Sequence, residues 1–135
     1  MITLDTSAIV ALLNRSDSHH ADAARALASR VGPTVVPLGI LSEVDHVLSS
    51  TLGPQASVAF LLGLEQGDSL LDPGDGDIPR IRELLARYAE LRLAYADAAV
   101  VACAERNGGR VLTFDPRPFE VVARDVPISL VPSDG

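Results

Sequence analysis

Four carboxylates occupy positions of one kind in this sequence. Asp5 closes the apolar triplet Ile2-Thr3-Leu4, and Asp115 stands two residues beyond Thr113, the last residue of RVLT. Glu43 lies in the first half of the helical run that follows Thr34-Val35-Val36, and Asp97 in the first turn of the run YADAAVVACAERN. Each alone has an ordinary structural reading. Asp5 suits a side-chain helix cap, worth about 1 kcal/mol. Asp97 suits a first-turn acid favoured by the helix dipole, and Asp115, before a proline, suits a turn. Glu43 is the hardest to read this way, because it borders the apolar face of Leu41, Val44, Val47 and Leu48. Four such accidents at corresponding strand ends are a weaker explanation than a shared site. Two unit charges ~4 Å apart repel by about 4 kcal/mol at an effective dielectric of ~20, so gathered carboxylates need protons or a cation. All-oxygen ligands suit Mg²⁺ or Mn²⁺, which hold phosphate oxygens and activate water. The chemistry this set implies is hydrolysis of a phosphodiester.

The elements that must position these residues follow from periodicity. Ile2-Thr3-Leu4, Thr34-Val35-Val36, Ser69-Leu70-Leu71, Arg110 to Thr113 and Ile128 to Val131 are short apolar runs of strand type. Between them lie helical patterns over TSAIVALL, over HHADAARALASR capped by Asp17 or Ser18 and ended by Gly32-Pro33, and over Leu38 to Leu52. Further helices are expected from Pro54 through QASVAFLLGLEQG, over IPRIRELLARYAEL capped by Asp77, and from Tyr95 to Asn107 before Gly108-Gly109. The stretch PRPF reads as a turn. Alternation of unbroken apolar strands with helices predicts an α/β fold, three-layer α/β/α, with a short parallel sheet of four to five strands. Ligands in such sheets bind beyond the carboxyl ends of the strands, where the four acids stand.

Composition narrows the function further. The 135 residues suit one domain spanning 1–135, with 47% hydrophobic and 21% charged residues. No apolar run is long enough for a membrane span, and none resembles a signal peptide. A single cysteine, Cys103, set in the helix interior VVACAE, excludes an internal disulfide and fits a reducing cytoplasm. The formal charge of −7 argues against one broad basic nucleic-acid surface. All 11 basic residues are arginine, and the missing lysine excludes P-loop NTPases, Schiff-base enzymes and receiver-type phosphorylation domains.

LDTSAIVALL, Ser42-Glu43-Val44, AYADAAVVACAERNG and VLTFDPRPF, in that order, resemble the signature segments of PIN-domain ribonucleases, most nearly the VapC-type toxins of bacterial toxin–antitoxin pairs. The resemblance covers nearly the whole chain. It implies a PIN-like fold in which Asp5, Glu43, Asp97 and Asp115 form an acidic tetrad for one or two Mg²⁺ or Mn²⁺, supported by the hydroxyls of Thr6, Ser7 and Thr113. It also implies endonucleolytic cleavage of RNA, a homodimer and neutralisation by a cognate antitoxin. Some relatives carry a further acid after the position of Asp115. This chain has Pro116-Arg117 there, which leaves Arg117 as an RNA phosphate contact. The competing reading is a PIN-like interaction module whose main role is partner binding.

Other constellations carry less. DPGDGDIPRIRE has acids at its first and twelfth positions, as a calcium loop does, but Asp77 stands where that loop needs glycine. Glu43-Val44-Asp45-His46 is a single E-x-x-H, whereas di-iron bundles need two; His46 is placed to hydrogen-bond Glu43. LDTS lacks the second Asp of haloacid-dehalogenase-type phosphatases, having Ser7 in its place. His19-His20 reads as an exposed helix start. Arg80, Arg82, Arg87 and Arg92 are either a solvated face or a track for an RNA backbone, and SVAFLLGL is the expected self-contact of a dimer.

Overall fold

The computed structural model describes residues 1–132 and holds a five-stranded, wholly parallel sheet. Its strands are β1 (Ile2–Leu4), β2 (Thr34–Pro37), β3 (Leu70–Asp72), β4 (Arg110–Leu112) and β5 (Ser129–Val131), in the spatial order β3-β2-β1-β4-β5. Val35, Val36, Val111 and Leu112 are buried to within 2% of complete, as continuous apolar strands covered by helices require. The helices are α1 (Thr6–Leu13), α2 (His20–Ala28), α3 (Leu41–Leu52), α4 (Pro54–Glu65), α5 (Ile78–Arg87), α6 (Tyr95–Arg106) and α7 (Arg117–Val122). The chain steps outward from β1 to β3, then crosses back to β4 and β5. Right-handed crossovers therefore assign α1 to α4 to one face and α5 to α7 to the other. The packing pairs follow this division: α1 lies against α2 and α3, α3 against α4, and α6 against α5 and α7.

Helix α6 is the central element. Every residue from Ala98 to Ala104 is buried, and the run of small side chains lets the helix lie close on β1, β2 and β4. Its C-terminal turn closes through Gly109, whose N–H donates to Ala104 O at 2.7 Å. Gly109 has φ +82°, and a Cβ there would stand 2.6 Å from Pro127 O, so this reversal into β4 demands glycine.

The structure corrects several boundaries. Neither Asp17 nor Ser18 is the cap of α2. The Asp17 side chain accepts from His19 N at 2.8 Å and its carbonyl from His20 N at 3.0 Å, forming a turn that closes before the helix starts. That helix stops at Ala28, short of Gly32. The helix expected from Leu38 begins as a 3-10 turn, Leu38–Ile40, and becomes α-helical at Leu41. Asp77 precedes α5 but makes no capping bond, because its carboxylate is taken by Arg106. PRPF is not a turn but the start of α7. Prolines at 116 and 118 suit the opening of a helix, and Phe119 and Val122, three apart, both bury their side chains.

Candidate active site

The sheet reverses its direction of growth between β1 and β4, and a cleft of about 330 Å³ opens beyond the carboxyl ends of these strands. Asp5, Glu43, Asp97 and Asp115 all line it. Asp5 and Asp115 arrive directly from β1 and β4. Glu43 and Asp97 arrive because α3 and α6 return the chain antiparallel to the strands, placing their first turns at this edge. Gly39 holds those two helix starts together: a Cβ there would come within 3.1 Å of the Ala99 Cβ.

Asp5 is the most constrained of the four. It is 6% exposed. Its Oδ1 accepts from Ala8 N at 2.9 Å, capping α1, and from Ser7 Oγ at 2.7 Å; its Oδ2 accepts from Thr113 Oγ1 at 2.5 Å. Burial pushes its pKa up to about 6 against the pull of these donors, and the charge of Asp97 adds to the rise. Asp97, half-buried, accepts from Ala94 N at 3.3 Å. Its pKa is also raised, first by burial and then by Glu43 and Asp115. The four acids thus share one electrostatic field.

The hydroxyls of Thr6, Ser7 and Thr113 all hydrogen-bond within this set. Thr6 Oγ1 donates to Glu43 Oε1 at 2.5 Å, joining α1 to α3. Ser7 Oγ also accepts from Phe114 N at 2.8 Å, and Thr113 Oγ1 accepts from Asp115 N at 3.1 Å. Asp115 is mostly exposed and faces Arg117, whose Nε lies 3.7 Å from its Oδ1. Among the described residues, no three of the His, Cys, Asp and Glu side chains are gathered into a ready-made metal cage.

Residues 2–125 match the family model described as the PIN domain. The chain belongs to the PIN-domain family. Ribonuclease VapC26 of Mycobacterium tuberculosis is 30% identical over 121 residues, covering 88% of this chain and 90% of that protein. The fold matches VapC20 of the same organism, whose structure is described as that of a sarcin-ricin loop cleaving toxin. The TM-score is 0.78 at 24% identity, over 95% of this chain and 98% of that one. It also matches FitAcB from Neisseria gonorrhoeae with a TM-score of 0.64 at 20% identity, over 96% of each chain. The likeness seen in the four sequence segments is therefore met across the whole PIN domain.

Two residues of the cleft escape sequence reasoning. His19 and Phe114 stack with ring centroids 4.8 Å apart and an interplanar angle of 16°, and both line the cleft. The only signal was an aromatic placed between Thr113 and Asp115. The remaining constellations resolve structurally. Arg80 makes two 2.9 Å bonds to Glu105, and Arg87 pairs with Asp125, so half of the arginine stripe is already neutralised. The calcium-like stretch is an ion-pair network: Arg106 grips both Asp72 and Asp77, and its guanidinium holds Asp72 below the usual carboxylate range. Glu43 takes its hydrogen bond from Thr6; no bond from His46 to it occurs among the described residues. Cys103 is buried, and desolvation pushes its thiol up to about 11, which suits a core residue and not a nucleophile.

Proposed function

We propose that this PIN-domain protein is a metal-dependent endoribonuclease that acts as the toxin of a type II toxin–antitoxin pair. The observation that carries the reading is the meeting of Asp5, Glu43, Asp97 and Asp115 in one cleft at the point where the sheet order reverses. The family match and the likeness to a named ribonuclease support it.

The donor set fits Mg²⁺ or Mn²⁺. It offers carboxylates and hydroxyls with a single imidazole at the rim, and Mg²⁺ binds through one or two carboxylates while keeping its waters, so no closed cage is needed. Asp5, Asp97 and Asp115 would hold the ion, with Glu43 as a further ligand or as the group that orients the attacking water. A cation held there supplies water activation and stabilises the leaving oxygen.

The chain's own groups do the rest. Ser7 and Thr113 fix the Asp5 carboxylate, so its orientation is set before substrate arrives. Thr6 holds one oxygen of Glu43 and leaves the other free to accept a proton from water. Arg117, 89% exposed beside Asp115, reaches the RNA backbone as a phosphate contact. Asp97→Asn should abolish cleavage of RNA in Mg²⁺ or Mn²⁺ while the circular dichroism spectrum stays unchanged. Full cleavage by that variant would overturn the site assignment. Calorimetry with Mn²⁺ separates this reading from that of an interaction module, which requires no metal binding in the millimolar range.

The partners follow from the same reading. A cognate antitoxin occupies the toxin in the cytoplasm, and a second copy of the chain packs against it. On α4, Val58 is 67% exposed and Leu61 and Leu62 nearly half exposed, an apolar surface that supports SVAFLLGL as the self-contact. No helix of the described residues is long and apolar enough to cross a membrane.

A further inference from the structure

A second hollow, of about 410 Å³, adjoins the carboxylate cleft and shares His19 and Phe114 with it. The stacked pair is thus the partition between the two. The backbone of each residue is held by a hydrogen bond. Phe114 N donates to Ser7 Oγ at 2.8 Å, and His19 N donates to Asp17 Oδ1 at 2.8 Å. Phe114 is also flanked in sequence by Thr113, which bonds Asp5, and by Asp115. Any group resting against this pair is therefore next to the reacting centre.

The lining of the second hollow decides what that group is. Asp22 and Glu120 stand there with Pro116, Leu130 and the two rings; Arg25 does not line the hollow but pairs with Asp22, which leaves Glu120 as the acid without an ion pair among the described residues. A phosphate finds no free cation in such a lining. A flat, uncharged heterocycle suits it better, since it stacks on the rings and presents donors to Glu120. Arg92 and Arg117 line a separate hollow of about 320 Å³ that they share with Asp115. Backbone-binding and base-binding surfaces thus fall on different sides of the carboxylates.

We propose that His19 and Phe114 form a stacking platform for an unpaired nucleobase of the RNA substrate beside the scissile phosphate, with the base in the Asp22–Glu120 hollow. The assignment rests on the ribonuclease reading and adds to it a base subsite, which only an unpaired base can enter, because a base held in a helix cannot offer its face. His19 and Phe114 are substrate contacts and take no part in proton transfer.

The test is binding of a labelled oligoadenylate by fluorescence anisotropy, in the Asp97→Asn background so that the strand stays whole, with an abasic strand of equal length beside it. His19→Ala and Phe114→Leu should each weaken binding of oligoadenylate by about five- to 150-fold, the span of base–aromatic stacking. Phe114→Tyr should keep the affinity, and the abasic strand should bind the parent weakly and the variants no worse. His19 is exposed, so its truncation leaves folding intact and carries the test even where Phe114→Leu lowers the melting temperature. Equal losses on both strands, or none on either, would overturn the platform and leave the nuclease reading standing. A parent chain that binds no RNA would overturn both.

Discussion

Replacing Asp5 by asparagine is expected to make the metal-free protein more stable at neutral pH. An ordinary Asp titrates at 3.8, and Asp5 in the folded chain at about 6. Between these values the folded state keeps a proton that the unfolded chain has lost, so stability falls as pH rises through the window and the full cost is present above pH 6. At 1.36 kcal/mol per pH unit the gap corresponds to about 3 kcal/mol. Asp5 is only 6% exposed, so solvent screening removes little of it. Asparagine keeps an oxygen to accept from Ala8 N and Ser7, and the Thr113 hydroxyl turns to accept from the new amide. The gain at pH 7 should approach 3 kcal/mol as an upper bound, raising the Tm by up to about 10 °C. At pH 4 and below the two proteins should melt together. Added Mn²⁺ should raise the Tm of the parent and leave the variant unmoved, reversing their order at saturating metal. Differential scanning calorimetry across pH, with EDTA or with Mn²⁺, reads all of this. An Asp5→Asn protein less stable than its parent at pH 7 in EDTA would refute the reasoning: Asp5 would then be a structural cap whose hydrogen bonds outweigh its desolvation.

Three further outcomes are expected. Thr113→Val keeps the shape but removes the donor to Asp5 and the acceptor for Asp115 N; it should lower RNA cleavage and raise the pH at which Asp5 titrates, measured by NMR. Arg106→Ala strands Asp72 and Asp77 at the far end of α6 and should cost about 2 kcal/mol by urea titration. This is less than for a fully buried pair, since Arg106 is 45% exposed, and Mn²⁺ affinity should be unchanged. Leu62→Glu on the exposed face of α4 should turn a dimer into monomers in sedimentation velocity, while a parent that sediments as a monomer would refute the self-contact.

The sheet was legible because its strands are unbroken apolar runs. The four acids were legible because a parallel sheet brings strand ends to one edge wherever the helices between them return. The hydroxyls of Thr6, Ser7 and Thr113 could be named only through the family resemblance, yet their geometry follows from position: each sits within two residues of an acid or one turn from it. What local pattern could not reveal depended on distant partners. Asp77 looks like a helix cap until Arg106, 29 residues on, takes its carboxylate. Arg80 looks free until Glu105 is brought beside it by the packing of α5 on α6. The stack of His19 on Phe114 joins residues with no sequence relation at all. In α7, the cue was misread: prolines end helices in the interior but open them in the first turn.

Under the proposed function, the cap role of Asp5 and its role as a metal ligand would be divided between its two oxygens. Oδ1 serves the fold, accepting from Ala8 N at the start of α1 and from Ser7 Oγ. Oδ2 has one partner, Thr113 Oγ1. Ala8 N cannot withdraw without opening the start of α1, whereas the hydroxyl of Thr113 can, and it has an alternative acceptor in Ser7 Oγ, 3.4 Å away. A cation held by Asp5 would displace a rotating proton and leave the backbone where it is. The same exchange would relieve the electrostatic cost of a buried carboxylate with a raised pKa. One aspartate can thus end a strand, start a helix and still turn a carboxylate oxygen toward the cleft, where the proposed function would have it bind a cation.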